Sequence, residues 1–190
     1  MFYAAISNEQ ERDKVKQLYE KYKYILFAQA NKILQDKYLS EDTVHQAFIR
    51  IIKSLQKIDE INCPRTRSFL VIICENVARD IYKQRLYLNT SVVSIDEIED
   101  GYIEGSNPLE IMISNERIES IKDFVKKMDP KYRDVLMLKQ TYGCNNEEIS
   151  HLLNLPVETV KKRLYRARKQ LKESIRKDGL TQHEKVGYHG

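Results

Sequence analysis

The length, composition and charge of the chain exclude several classes of protein. Its 190 residues suit one ordinary domain or two small ones, and 42% hydrophobic with 32% charged residues is a normal balance for a globular protein. Because the sequence has only 6 Gly and 4 Pro, it favours helices over a sheet with many turns. The stretch before Glu9 is too short, and too soon followed by charges, for a signal peptide or a membrane span. We therefore expect an all-α, cytoplasmic protein that does not insert into a membrane.

Residues that carry catalytic or metal chemistry are not grouped in this sequence. Cys63, Cys74 and Cys144 lack C-x-x-C spacing, which predicts reduced thiols and argues against a structural zinc site. His45 and His151 each stand alone on a predicted helix. There is no acidic metal cluster, no phosphate-binding glycine loop and no His/Cys pair at catalytic spacing. We predict a protein that is not an enzyme and uses no cofactor or metal.

Four segments follow one another along the chain. Residues 9–88 have apolar residues at helical spacing and predict a first helical domain, with a turn at residues 62–64. Residues 89–113 predict an acidic linker. Residues 114–178 predict a second helical domain, and residues 179–190 predict a disordered tail. The expected architecture is two small helical domains joined by an acidic linker.

In the first domain, the sequence predicts a helix that starts at Ser40 as N-cap, with Glu41 and Asp42 in its first turn. One broad stripe of apolar residues predicts its core face: Val44, Ala47, Phe48, Ile51, Ile52 and Leu55. The opposite face is polar except for Ile49. This isoleucine is either a lone exposed residue or the centre of a contact with a partner.

Residues 65–85 predict a second long helix of the first domain. Its centre is apolar, and its C-terminal part is basic and rich in hydrogen-bonding groups. Two interpretations stay open from the residues alone. The segment is either a core helix with a solvated end or a helix whose end contacts a ligand.

Residues 145–160 predict a helix-turn-helix. Asn145 or Asn146 caps a short helix that should stop near Asn154. Leu155 and Pro156 then form a short turn, because proline is tolerated at the start of a helix.

The second helix of this motif concentrates the positive charge of the chain. From residue 157 to residue 173 it has seven basic and two acidic residues, a net charge of +5, whereas the whole chain has only +4. Its apolar residues fall on one inward face: Val157, Val160, Leu164, Ala167 and Leu171. A basic amphipathic helix is often only a solvated face, but the turn before it favours DNA binding.

Three runs in this region resemble region 4 of the sigma-70 family of RNA polymerase sigma factors, in its extracytoplasmic-function group. They are residues 128–138 (MDPKYRDVLML), 148–149 (EI) and 158–168 (ETVKKRLYRAR). In that family this helix docks into the minus-thirty-five promoter element. The resemblance implies core positions for Leu164 and Ala167, and it implies DNA contacts for Glu158, Thr159, Lys161, Lys162, Arg163 and Arg166.

The first domain resembles region 2 of the same family. Residues 40–48 (SEDTVHQAF) are similar to the segment that binds the coiled-coil clamp of the largest polymerase subunit, although His45 stands where glutamine is usual and Gln46 follows it. The resemblance implies a core polymerase contact by Asp42, His45, Gln46 and Ile49. Residues 65–85 are similar to the segment that binds and melts the minus-ten element. The contacts implied there are Asn76 for a base edge, Asp80, and Arg79, Lys83 and Arg85 for phosphates.

The resemblance implies a sigma factor, which binds core RNA polymerase and directs it to promoter DNA. It also makes an anti-sigma factor a candidate partner. The alternative is an autonomous helix-turn-helix regulator of the LuxR-like kind, whose first domain senses a signal or dimerises. A regulator of that kind should bind duplex DNA without polymerase.

Overall fold

A computed structural model describes residues 8–89 and 116–185 of the chain. Over these two ranges every regular element is helical, which confirms the predicted all-α fold. Apart from residues 151–153, which are grouped with the first unit, the helices form two compact units, one before and one after the gap. The predicted acidic linker lies outside the described residues apart from Asn89, the last residue of its preceding helix.

Three long helices build the first unit: α1 (Glu9–Leu34), α2 (Lys37–Ile52) and α3 (Pro64–Asn89), with a 3-10 turn at Leu55–Lys57. The apolar residues of α1 recur every three or four positions, so they form one stripe that faces α2 and α3. Large side chains that are fully buried fill the core between the helices: Leu18, Leu26, Phe48, Ile51, Phe69 and Ile73.

The start of α2 differs from the prediction. Asp36 and not Ser40 is the N-cap, because Gln35 ends α1 in a left-handed conformation (φ 50°) and the Asp36 carboxylate accepts the Leu39 N–H at 3.1 Å. Ser40 is a buried residue inside the helix, and its hydroxyl donates to the Asp36 carbonyl at 2.6 Å. The predicted core stripe is confirmed, except that Ile52 is only half-buried.

The second unit consists of α4 (Glu116–Lys127), α5 (Pro130–Gln140), α6 (Asn146–Leu153) and α7 (Val157–Lys185). Helix α7 packs against both α4 and α5. Its length differs from the prediction, since the helix continues to Lys185 through most of the segment predicted as a disordered tail. No proline interrupts residues 173–185, and Gly179 is the weakest helix former among them. Residues 186–190 lie outside the described residues.

All three cysteines are free thiols. Cys74 and Cys144 are buried, and burial together with the neighbouring Glu75 raises the pKa of the Cys74 thiol to about 12. Among the described residues no helix is long and apolar enough to cross a membrane, and no group of histidine, cysteine and acidic side chains could hold a metal ion.

Candidate nucleic-acid interface

The structure confirms the helix-turn-helix formed by α6 and α7. At the start of α6, Asn145 and Glu148 form a reciprocal capping box: the Asn145 N–H donates to the Glu148 carboxylate at 2.7 Å, and the Glu148 N–H donates to the Asn145 side chain at 2.8 Å. Helix α6 ends at Leu153, and its C-cap Asn154 adopts a left-handed conformation (φ 51°). The next helix starts at Val157, immediately after Pro156. The predicted cap, stop and turn therefore all occur at the expected residues.

The turn before α6 depends on a glycine. Gly143 has a φ of 63°, in the left-handed region that residues with a side chain rarely adopt. This conformation allows the Cys144 N–H to return to the Leu138 carbonyl of α5 at 3.0 Å. The glycine therefore sets the position at which α6 leaves α5.

Helix α7 presents a buried and an exposed face. Val160, Leu164 and Ala167 are buried, as predicted, whereas Val157 and Leu171 are half-buried. Most of the predicted DNA contacts are exposed on the other face, namely Glu158, Lys161, Lys162 and Arg166, while Thr159 and Arg163 are half-buried. Tyr165 is exposed on the same helix, with 70% of its surface accessible.

Two contacts organise the exposed face of α7. The Lys161 ammonium lies 2.6 Å from the Glu158 carboxylate, and this hydrogen bond lowers the pKa of Glu158 and raises the pKa of Lys161. Farther along, the Arg166 guanidinium lies 3.5 Å from the Tyr132 hydroxyl of α5. Sequence reasoning missed Tyr132, although it lies in the run 128–138. Its ring also packs under the Lys131 ammonium, 5.2 Å from the ring centroid.

Helix α5, which packs against α7, contains a buried ion pair. The Arg133 guanidinium lies 3.1 Å from the Asp134 carboxylate, and the Asp134 side chain is fully buried. Buried charges of this kind are tolerated only when they are paired and hydrogen-bonded. The pair lies on the same helix as Tyr132, whose hydroxyl approaches Arg166.

In the first unit, the outer face of α2 brings together the four residues predicted to contact polymerase. Asp42, His45 and Ile49 are exposed and Gln46 is half-buried. Their spacing of three, four and seven positions places them on one side of the helix. The Gln46 amide donates to the Asp42 carboxylate at 2.7 Å.

Helix α1 adds an aromatic residue to this face that sequence reasoning missed. The Tyr19 ring stacks on the His45 imidazole, with the ring centroids 5.9 Å apart. Its edge also contacts Phe48 in the core, at 5.1 Å between centroids. Tyr19 therefore supports the imidazole from the side of the core.

The predicted minus-ten residues of α3 lie in different environments. Asn76 is 8% exposed and lies in the domain interior, where its side-chain oxygen has no hydrogen-bond partner. Arg79 lies 3.1 Å from the buried Glu75 carboxylate. Lys83 is half-buried, and Arg85 is exposed. Of these three cations, Arg85 is therefore the one most open to solvent.

Two ion pairs join α3 to α2, and sequence reasoning predicted neither. The Asp80 carboxylate lies 3.2 Å from the Arg50 guanidinium, and Arg85 lies 3.7 Å from Asp36. Burial raises the pKa of Asp80, although Arg50 opposes the shift. These partners are 30 and 49 residues apart in the sequence, so no local pattern links them.

Comparison with known proteins identifies the family. The model of Sigma-70 region 2 matches residues 18–86, and that of Sigma-70, region 4 matches residues 118–171. The chain is 27% identical to the ECF RNA polymerase sigma factor SigW of Bacillus subtilis over 172 residues, which cover 87% of this chain and 91% of SigW. It is 25% identical to the ECF RNA polymerase sigma factor SigL of Mycobacterium tuberculosis, over 86% of this chain and 90% of SigL.

Among solved structures, CnrH in complex with the cytosolic domain of CnrY matches 90% of this chain and 92% of its own, with 23% identity and a TM-score of 0.35. The two family regions occur in chain order, and each coincides with one helical unit. The chain therefore belongs to the sigma-70 family of RNA polymerase sigma factors, in its extracytoplasmic-function group.

Proposed function

We propose that this sigma factor directs core RNA polymerase to promoters through three surfaces, two on its first unit and one on its second. The observation that carries the proposal is the presence of both sigma regions in order. Two modest DNA contacts on separate modules give a useful combined affinity when they are held by one molecule.

The exposed face of α7 is proposed to bind the minus-thirty-five element. Helices of this motif enter the major groove, where cations neutralise phosphates and a few residues near the N-terminus reach base edges. Glu158, Thr159, Lys161 and Lys162 occupy the first two turns of α7 and are available for base edges or nearby phosphates. Arg163 and Arg166 follow as phosphate contacts.

The outer face of α2, composed of Asp42, His45, Gln46 and Ile49, is proposed to bind the clamp helices of the largest polymerase subunit. We name it the polymerase face. It combines a carboxylate, an imidazole and an amide around Ile49, which is 50% exposed. An apolar centre with a polar rim is typical of protein interfaces.

The promoter segment of α3, residues 76–85, is proposed to contact the minus-ten element. Arg79, Lys83 and Arg85 supply the positive charge for the phosphates of a melted strand. For Asn76, the supporting observation is its buried oxygen without a hydrogen-bond partner, which a base amino group would satisfy. Reading a base in this way requires the base to leave the stack and enter the domain.

Location and further partners follow from the same proposal. Promoter DNA and polymerase are cytoplasmic in bacteria, so we place the protein there. An anti-sigma factor is a second protein partner that membership of this family suggests. It would compete with polymerase or with DNA for the surfaces described above.

A double charge reversal tests the division into separate surfaces. Lys162→Glu combined with Arg166→Glu should abolish recognition of the minus-thirty-five element, because both side chains are exposed on α7. Binding to core polymerase, measured by fluorescence anisotropy of the labelled protein, should be unchanged. Lys16→Glu combined with Lys32→Glu on α1 makes the same change in net charge and serves as the control. Loss of both promoter recognition and core binding would refute the separate surfaces.

A further inference from the structure

We propose that Arg50 and Asp80 form a positioning pair that fixes the polymerase face of α2 relative to the promoter segment of α3. Asp80 then acts through Arg50 and does not itself contact a promoter base. The inference rests on the proposed function of these two surfaces. It assigns both residues a role in coupling polymerase binding to promoter opening.

The pair links a residue next to the polymerase face with a residue of the promoter segment. Arg50 follows Ile49 directly and lies in the last turn of α2, while Asp80 follows Arg79 directly in α3. One guanidinium nitrogen of Arg50 lies 3.2 Å from a carboxylate oxygen of Asp80, within hydrogen-bond distance. A charged hydrogen bond is directional, so a shift of α3 along α2 would break it. The pair therefore sets the register between the two helices at this point.

Charge considerations disfavour a direct role of Asp80 on DNA. A carboxylate that faces phosphates is repelled unless a cation neutralises it, and Arg50 supplies that cation. Because Arg50 neutralises Asp80, the charge that the promoter segment presents to DNA stays positive. It comes from Arg79, Lys83 and Arg85. Lys83 and Arg79 also lower the pKa of Asp80, but less than burial raises it.

The pair contributes more to geometry than to stability. Burial raises the pKa of Asp80 in spite of the guanidinium beside it, so desolvation of the carboxylate outweighs its attraction to Arg50. An ion pair of this kind is a weak source of folding free energy. Replacement of Asp80 by asparagine, which keeps the shape and a hydrogen-bond acceptor, should therefore leave the fold intact while it weakens the directional contact.

The second link between the same helices provides a matched control. Arg85 and Asp36 are 3.7 Å apart, and 53% of the Arg85 side chain is exposed. An exposed pair at this distance is weakly held. Asp36→Asn removes the charge but keeps an N-cap for α2, because asparagine caps helices as well as aspartate does.

The experiment measures core binding and promoter opening separately, in full-length protein. The variants are Arg50→Gln, Asp80→Asn, the reversed pair Arg50→Asp with Asp80→Arg, and the control Asp36→Asn. The DNA is a promoter selected from a random-sequence pool by the wild-type holoenzyme. Affinity for core polymerase is measured by anisotropy, and opening by permanganate reactivity of unpaired thymines at saturating core enzyme. Thermal unfolding followed by circular dichroism reports folding.

Each single variant should reduce the open complex roughly fivefold, as expected for loss of one coupling between contacting residues, while affinity for core polymerase changes less than about twofold. The reversed pair should restore most of the opening, and Asp36→Asn should behave like wild type.

Unchanged opening in Asp80→Asn, or a parallel loss of core affinity, would overturn the proposal. So would a reversed pair that folds but does not recover. If the reversed pair does not fold, the comparison of Asp80→Asn with Asp36→Asn decides. Failure of the wild-type holoenzyme to select any promoter would instead refute the proposed function.

Discussion

Asp80 is a half-buried acidic residue whose cation partner does not fully offset the partial loss of hydration. Its carboxylate lies 3.2 Å from Arg50, yet its pKa is raised, first by burial. A raised pKa means that the folded protein binds a proton at Asp80 more readily than the unfolded chain does. Asp80 therefore stabilises the fold most when it is protonated, and this contribution is lost as the pH rises through its folded-state pKa.

The raised pKa of Asp80 predicts how the free energy of unfolding changes with pH. The ordinary pKa of the group is 3.8, so the relevant window lies above that value. As the pH falls from 7 into this window, the free energy of unfolding of the wild type should rise relative to that of Asp80→Asn, which has no proton to bind. Urea unfolding of both proteins at several pH values measures the difference. If the free energy of unfolding of the wild type instead falls relative to that of Asp80→Asn on acidification, Arg50, and not burial, dominates the environment of Asp80.

At the scale of helices, short capping signals decide where elements begin. The side chain of Asp36 caps α2 and that of Asn145 caps α6, each by accepting a backbone N–H of the first turn. The first four N–H groups of a helix have no partner inside the helix, so a side chain that accepts one of them stabilises the helix start. The bounds of α2 and α6 thus depend on single polar side chains.

Substitution of Asp36 tests this assignment. Asp36→Ala should lower the free energy of unfolding of the first unit by about 1 kcal/mol, because alanine cannot accept the Leu39 N–H. Asp36→Asn should cost much less, since it retains the cap and loses only a weak exposed ion pair with Arg85. Urea unfolding of the full chain, followed by circular dichroism, compares the two. Equal losses would mean that the ion pair, and not the cap, is the stabilising contact.

The sequence predicted those elements whose signals are local. Asn145, Asn154 and Pro156 lie within twelve positions of one another, and each punctuates the backbone in a known way, so the helix-turn-helix was correctly located. The start of α2 was misplaced because Ser40, followed by two acidic residues, resembles a cap as closely as Asp36 does. Helical spacing offered no means to choose between them.

Contacts between helices were beyond local patterns. The Arg50–Asp80 pair joins residues 30 positions apart, and only the packing of α2 on α3 brings them together. The burial of Asn76 was also not predicted, because a polar residue inside an apolar helix is usually assigned to the surface. Tyr132 approaches Arg166 only because α5 packs beneath α7.

At the scale of the whole molecule, the positive charge of α7 supplies affinity that depends on salt. Each phosphate that a cation neutralises releases counterions, so binding weakens as the salt concentration rises. Lys162 and Arg166 are exposed on α7 and are proposed phosphate contacts or neighbours of phosphates. Their individual contributions are therefore measurable from salt dependence.

Neutral substitutions should reduce this dependence in steps. The slope of log K against log salt is negative. Lys162→Ala and Arg166→Ala should each reduce its magnitude by roughly 0.9, the value for one phosphate contact on duplex DNA. The slope is measured for the holoenzyme on promoter DNA between low and moderate salt. Lys32→Ala on α1 is the control. An unchanged slope in Arg166→Ala would mean that Tyr132 holds this side chain away from the DNA.

Run-off transcription with purified core RNA polymerase tests the central claim most directly. The template is a pool of genomic DNA fragments from the bacterium that encodes the protein, and the 5′ ends of the transcripts are mapped. We predict discrete start sites that require the protein and share two sequence elements upstream. A protein that shifts duplex DNA by itself, yet never directs core polymerase to a start site, would contradict this account and favour an autonomous regulator.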